Sequence, residues 1–153
     1  MNHRVYTDGS CINNGKPDAK GGWAYVIMGD DDKIAKMNSG QVVTPEVTNN
    51  RMEMEAVLMA LRDLHKNFSI DDSFTIVSDS KYVITCYTDY LENWVKNRWQ
   101  KKTPGEIKNV DLWMKINKAK RLVKFDFEWV KGHSGENGNE LVDELAYEMA
   151  AME

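Results

Sequence analysis

Val5-Tyr6-Thr7-Asp8-Gly9-Ser10 is the stretch on which the fold turns. Arg4 through Thr7 are residues that strands favour or tolerate, and they run straight into an acid. Gly9 has no Cβ, so another group can come close to the backbone there. An aspartate ending an apolar central strand is costly unless something positive sits on it. Read alone, Asp-Gly is a common turn dipeptide and Asp8 a turn residue. The rest of the chain points instead to a metal, with three later carboxylates converging on the same spot.

Outward from this strand, Cys11 to Gly22 is rich in Asn, Gly, Pro and Asp and reads as a loop. Trp23 to Met28 reads as a second strand and Lys33 to Val43 as a third, joined at Gly29-Asp30-Asp31-Asp32 into an antiparallel meander. Three consecutive acids point in different directions, so this tip is a solvated turn rather than a metal site. Thr48-Asn49-Asn50 caps a helix running to about Lys66. Phe74 to Ser78 is a fourth strand, ended by Asp79. A short helix follows through Tyr82, Val83 and Tyr87, then a second from near Tyr90 carrying Trp94. Lys96 to Glu106 is a basic, tryptophan-bearing segment closed by Pro104-Gly105, and Val110 to Leu122 is another helix. In the fifth strand, Val123, Phe125, Phe127 and Trp129 alternate with Lys124, Asp126, Glu128 and Val130. Lys131 to Gly138 is a flexible loop, and the last helix begins at Asn139. The order β-β-β-α-β-α-α-α-β-α predicts one mixed sheet with helices on its faces, an α/β domain.

The 153 residues suit one ordinary domain, and the 42% apolar content is that of a globular protein with no run long enough for a membrane span. Met-Asn-His-Arg leading into a strand predicts no signal peptide. Cys11 and Cys86 are too few for a disulfide scaffold and lack metal-site spacing, so a cytoplasmic protein with reduced thiols is expected. The net charge of −4 is unevenly spread. From Trp94 to Lys131 there are eleven Lys and Arg against four Asp and Glu, while the remainder holds nine against twenty. Such asymmetry describes a local anion-binding surface on an acidic body. A merely solvated helix face is the simpler explanation of a charge run, but the interleaved tryptophans weigh against it.

Helical geometry separates the acids of the first long helix. Glu53 shares a face with Ala56, Val57, Ala60, Leu61 and Leu64, whereas Glu55 falls opposite with Arg62 and Lys66. A carboxylate on the buried face needs a partner. Compensation of the helix dipole explains an acid here but not its choice of face. In the last helix the apolar stripe is Leu141, Val142, Leu145, Ala146 and Met149. Asp143 lies at its border beside Ala146 and Ala150, as a solvated border residue would. Asp79 ends an apolar run, as Asp8 does, and strand C-termini of α/β sheets are where ligands gather. Asp8, Glu53, Asp79 and Asp143 offer only oxygen ligands, which suit Mg²⁺ or Mn²⁺. Such a set can hold two ions roughly 3.5–4 Å apart for an in-line phosphoryl displacement. Without metal, the mutual repulsion would raise some of the carboxyl pKa values. His3 and His65 read as ordinary surface or core histidines. His133 stands in a glycine-flanked loop leading to the Asp143 helix, and its near-neutral pKa suits proton transfer.

Taken together, the chain resembles a type 1 ribonuclease H of the bacterial or phage kind. The matching stretches are Tyr6-Thr7-Asp8-Gly9-Ser10, Thr48 to Glu53, Ser78 to Val83, Lys108 to Trp113, and Trp129 to Gly135 followed by Asp143 to Ala146. They run in family order and cover nearly the whole chain. The resemblance implies the ribonuclease H fold: a five-stranded mixed sheet, three strands antiparallel and two parallel, flanked by helices. It implies cleavage of the RNA strand of an RNA–DNA hybrid, leaving a 5′-phosphate and a 3′-hydroxyl. Asp8, Glu53, Asp79 and Asp143 match the metal-binding carboxylates, and His133 the loop histidine. Asn13, Asn14, Asn49, Asn50 and Ser80 match positions near the RNA minor groove and its 2′-hydroxyls. Thr48 and Asn109 match a pocket for a DNA-strand phosphate. Trp94 to Lys102 matches a basic protrusion, in which Lys96, Lys101 and Lys102 would neutralise phosphates without reading sequence. Core packing is the competing role for Trp94 and Trp99, expected of at least one of them.

The departures are specific. Members often carry Arg two residues before the pocket threonine; here it is Glu46, which should weaken phosphate binding unless it turns outward. Tyr90 stands where a tryptophan commonly lines the DNA channel. Lys81 replaces a glutamine after the Asp-Ser of strand four. The Asn13–Gly22 loop is longer than in compact members, and hybrid affinity is expected from this domain alone. The expectation is therefore a monomeric Mg²⁺-dependent hybrid ribonuclease, with Mn²⁺ as a possible substitute. Two alternatives stay open: a resolvase- or integrase-like enzyme of the same fold, against which Asn49-Asn50 and the protrusion argue, and a non-catalytic hybrid-binding module, which would be expected to have lost one of the four acids.

Overall fold

The computed structural model describes residues 2–29, 31, 33–44, 46–100, 106–132 and 137–152. Asp30 and Asp32 of the expected turn, Lys101 to Gly105 of the basic segment and His133 to Glu136 of the last loop lie outside these residues. The strands are β1 (Asn2–Ile12), β2 (Lys20–Met28), β3 (Ile34–Val42), β4 (Ser73–Ser78) and β5 (Lys124–Trp129). The helices are α1 (Asn49–Asn67), α2 (Lys81–Thr85), α3 (Leu91–Lys96), α4 (Val110–Lys120) and α5 (Asn137–Ala151).

The strands form one sheet in the order β3-β2-β1-β4-β5. β1 pairs antiparallel with β2, and β2 with β3; β4 runs parallel to both β1 and β5. This is the mixed sheet expected from the element order. Successive side chains of β1 go to opposite faces. Val5 joins Tyr25, Ile27, Ile76, Leu61 and Trp113 beneath α1 and α4, while Tyr6 joins Ala24, Val26 and Val77 beneath Val142 and Ala146 of α5. Each large side chain fully withdrawn from water in this way stabilises the fold by roughly 1.5–3 kcal/mol.

Several boundaries differ from the sequence reading. The Cys11–Gly22 loop is shorter, because β1 continues to Ile12 and β2 starts at Lys20. Its polar residues are tolerated because a β ladder needs only backbone groups. Asp8 is thus interior to β1 rather than at its end. The two helices after β4 are joined by a π-helical turn, Cys86–Tyr90, into one bent segment. α4 stops at Lys120, β5 lacks Val123 and Val130, and α5 starts two residues early at Asn137. α1 is buried beyond its predicted stripe, at Met54, Leu58 and Asp63 as well, because it is covered by α4 on one side and the sheet on the other.

One topological feature positions the site. β4 stays with β1 only as far as the Tyr6–Val77 pair, whereas β1 continues with β2 to the Ile12–Lys20 pair. The sheet direction reverses at β1, so a crevice opens where β1 and β4 part. Asp8 stands just past that divergence on β1, and Asp79 directly follows the last residue of β4.

Candidate active site

α1 is brought against β1 by what Gly9 lacks. A Cβ there would fall 2.2 Å from the Met52 carbonyl carbon and 2.3 Å from the Glu53 nitrogen. The helix therefore starts directly on the strand. Thr48 caps it, its hydroxyl accepting from the Arg51 N–H at 3.1 Å. One turn in, Glu53 Oε1 accepts from the Gly9 N–H at 2.5 Å. Glu53 is buried, as its place on the apolar face predicts, and so is Asp8.

One carboxylate oxygen each from Asp8, Glu53 and Asp79 lie within 4.8 Å of one another. Asp143, half-buried at the border of α5, hydrogen-bonds Asp8 and lines the same cleft of about 390 Å³. The four acids named from the sequence are therefore brought together. Burial drives the Asp8 carboxyl strongly upward, reinforced by its hydrogen bond to Glu53 and by the charges of Glu53 and Asp79. Burial also pushes Glu53 up to about 7, against the opposing hydrogen bonds from Asp8 and the Gly9 N–H. A cluster so arranged gives up its protons readily only when a cation replaces them. Glu53 Oε2 is buried and has no hydrogen-bond donor among the described residues. An orphaned carboxyl oxygen within a cluster of four acids, with no histidine or cysteine lining the cleft among the described residues, fits a hard divalent cation.

The substrate candidates fall into three groups. Asn49, Asn50 and Ser80 line the carboxylate cleft, Ser80 also capping α2 by accepting from the Val83 N–H at 3.2 Å. Asn14 Oδ1 accepts from the Asn49 N–H at 3.1 Å, tying the β1–β2 loop to the cleft, while Asn13 adopts a left-handed backbone and donates to Asp18. Arg51 links the second group: its backbone bonds Thr48, one guanidinium nitrogen donates to Asn109 Oδ1 at 3.3 Å, and it grips Asp111 at 2.9 and 2.7 Å. Asn109 takes a left-handed backbone before α4 and donates to the Tyr82 hydroxyl at 2.9 Å. Glu46 is exposed and adds to the negative field on Arg51. The third group lies along the bent helix. Exposed Tyr90 stacks on Trp94 at 5.9 Å, and Trp94 rests in turn on Trp113. Trp94 and Trp99 both pack partly against the core, so the packing role belongs to both. Arg98 and Trp99 hold consecutive left-handed conformations, a strained reversal that the packed indole holds in place. Lys96 is exposed and sits 3.9 Å from Glu92. Lys101, Lys102 and His133 lie outside the described residues.

Three residues near the site were not singled out in the sequence as site residues. Lys81 lines the carboxylate cleft. Trp129 donates its indole N–H to the Asp79 carbonyl at 3.2 Å, yet its alternation in β5 reads as core. Asn139 is buried one helical turn before Asp143, with its Oδ1 lacking a donor among the described residues. Its i, i+4 spacing to Asp143 was the available signal.

A family model described as RNase H matches residues 2–151. The chain is 40% identical over 143 residues to the ribonuclease H of Alcanivorax borkumensis, covering 93% of this chain and 87% of that protein. Among solved structures, LC9-RNase H1, a type 1 RNase H with the type 2 active-site motif, superposes with a TM-score of 0.81 at 28% identity, over 97% of this chain and 72% of that one. A foamy viral protease–reverse transcriptase in complex with an RNA/DNA hybrid shares the fold with a TM-score of 0.79 at 24% identity, over 97% of this chain and 20% of that one. With a mixed sheet of this order and four carboxylates at the β1–β4 crevice, the chain belongs to the ribonuclease H family.

Proposed function

We propose that this chain is a single catalytic domain that hydrolyses the RNA strand of RNA–DNA hybrids, leaving 5′-phosphate and 3′-hydroxyl ends, with Mg²⁺ as its cofactor and Mn²⁺ as a substitute. The observation that carries the reading is the meeting of Asp8, Glu53 and Asp79 within 4.8 Å, with Asp143 on the same cleft, in a chain of this family. Asp8, Glu53, Asp79 and Asp143 are the residues that would hold the metal. Bound there, the metal would supply Lewis-acid polarisation of the phosphate and neutralise charge on the attacking and leaving oxygens.

The chain's own residues do the rest. Gly9 fixes the Glu53 carboxylate through its N–H, so one side of the cluster is set before substrate arrives. Asn49, Asn50 and Ser80 present amide and hydroxyl groups along the cleft, able both to donate to and accept from a 2′-hydroxyl. Thr48, Asn109 and Arg51 form a polar cluster at the head of α1 for a DNA-strand phosphate. Tyr90, Trp94 and Lys96 offer an aromatic and basic surface along the helix beyond, and Lys101 and Lys102 are assigned to phosphates there. His133 is assigned the transfer of a proton to the leaving oxygen or assistance in product departure. Monomeric, cytoplasmic action belongs to the same proposal. Cys11 and Cys86 are free thiols, and no helix among the described residues is long and apolar enough to cross a membrane.

The test is cleavage of an end-labelled RNA strand in a hybrid, in double-stranded RNA and beside double-stranded DNA, with Mg²⁺ and with chelator. Cleavage confined to the hybrid, abolished by chelator, is expected. Equal cleavage of double-stranded DNA, or metal-independent cleavage, would overturn the reading.

A further inference from the structure

Lys81 opens α2 and lines the cleft with Asp8, Glu53, Asp79 and Asp143, yet among the described residues it makes no salt bridge. An ammonium beside four acids would be expected to collapse onto one of them. Instead Nζ lies 4.8 Å from the centroid of the Trp129 ring, within cation–π range. That ring is itself fixed, because its N–H donates to the Asp79 carbonyl at 3.2 Å. Trp129 remains 45% exposed, so the arrangement is not a core contact. Local folding does not ask for lysine here either, since a cation in the first turn of a helix opposes the helix dipole. The result is a positive charge held at the rim of the cleft and kept off the carboxylates.

We propose that Lys81, held by Trp129, is a substrate-binding residue that contacts a backbone phosphate of the RNA strand as it crosses the carboxylate cleft. The inference rests on the hybrid-ribonuclease reading of that cleft. A lysine acts as a point charge and neutralises a phosphate without reading the base. Trp129 is a positioning residue, which lowers the number of rotamers the lysine must give up on binding.

The experiment compares wild type with Lys81→Gln, Lys81→Arg and Trp129→Leu, all confirmed folded by their melting curves. It measures kcat and KM on hybrids of two sequences across roughly 50–200 mM salt, with an Mg²⁺ titration. Lys81→Gln is expected to raise KM roughly fivefold on both sequences, keep kcat within about twofold, and reduce the salt slope by about one. Lys81→Arg should restore most of the affinity, Trp129→Leu should raise KM by less than Lys81→Gln, and the Mg²⁺ midpoint should not move. An unchanged KM and salt slope in Lys81→Gln would overturn the inference. So would a lowered Mg²⁺ midpoint with KM unchanged, which would make Lys81 a counter-ion of the acids. Hybrid affinity without divalent metal, read by fluorescence anisotropy, separates the two claims. A wild type that binds but does not cleave overturns the function reading, while weaker binding by Lys81→Gln still supports the contact.

Discussion

The backbone N–H of Gly9 donates to Glu53 Oε1 at 2.5 Å, joining the central strand to the first turn of α1. Strand and helix meet there with no side chain between them. Gly9→Ala should therefore do more than add a methyl group, because the new Cβ would meet backbone atoms of Met52 and Glu53 that cannot rotate away. The expected cost is about 1–3 kcal/mol or more by denaturant unfolding, with a loss of cleavage far larger than the stability change alone explains.

Asp8→Asn should stabilise the metal-free protein. The buried Asp8–Glu53 pair has folded-state pKa values above the ordinary carboxylate value, raised by burial and by mutual repulsion. An acid raised in this way contributes stability that is fully present below about pH 4 and is lost as the pH rises towards the Glu53 value of about 7. Without metal, the wild-type melting temperature should therefore fall between pH 5 and pH 7.5, and the Asp8→Asn curve should be flatter and higher. The gain is about 2–4 °C for each kcal/mol of repulsion relieved. Mg²⁺ should raise the wild-type melting temperature at neutral pH, and raise that of the variant less.

Asp63 has the opposite sign. Burial alone would raise it, but hydrogen bonds from Lys36, Tyr25 and Asn67 outweigh burial and hold it below the ordinary value. Its contribution is present above about pH 4 and is lost as the pH falls through the lowered value. The acid limb of wild-type unfolding should be flattened in Asp63→Asn. Asp63→Ala, which leaves the buried Tyr25 hydroxyl without its acceptor, should cost about 1–3 kcal/mol in urea unfolding at pH 7. Cleavage per folded molecule should be unchanged, since this network lies away from the cleft.

Arg51 is held by Asp111, whose carboxyl it keeps down at about 2. Asp111→Asn should release the guanidinium towards Asn109 and Thr48. If that cluster takes a DNA-strand phosphate, hybrid affinity should tighten a few-fold, and Glu46→Arg should act in the same direction. Binding titrations at two salt concentrations check both, with the gain greater at low salt.

The element order and most of the site could be read from the chain because each carries a local signal. β1 announces itself by its β-formers, and Glu53 by its place on an apolar helical stripe. Asp143 was legible only as a border residue, since nothing in α5 alone says what it faces. The ends of β1 and β2 carry no such signal, because the ladder between Gly9 and Ile12 is held by backbone groups, which glycine and serine supply as well as valine does. Trp129 falls on the apolar side of the alternation in β5, but β5 is the edge strand beside β4, and its last residue is left exposed. Lys81 stood out only as a departure from a pattern. Its contact with Trp129 joins positions 48 residues apart, a pairing that no periodicity encodes.

The most direct test of the carboxylate cluster as the seat of hydrolysis is single-turnover cleavage of an RNA-labelled hybrid by wild type and Asp8→Asn, in Mg²⁺, with the product ends mapped. The account predicts RNA-strand cleavage with 5′-phosphate ends by the wild type, and no detectable cleavage by an Asp8→Asn protein that melts no lower than wild type without metal. Cleavage by that variant at the wild-type rate would contradict it.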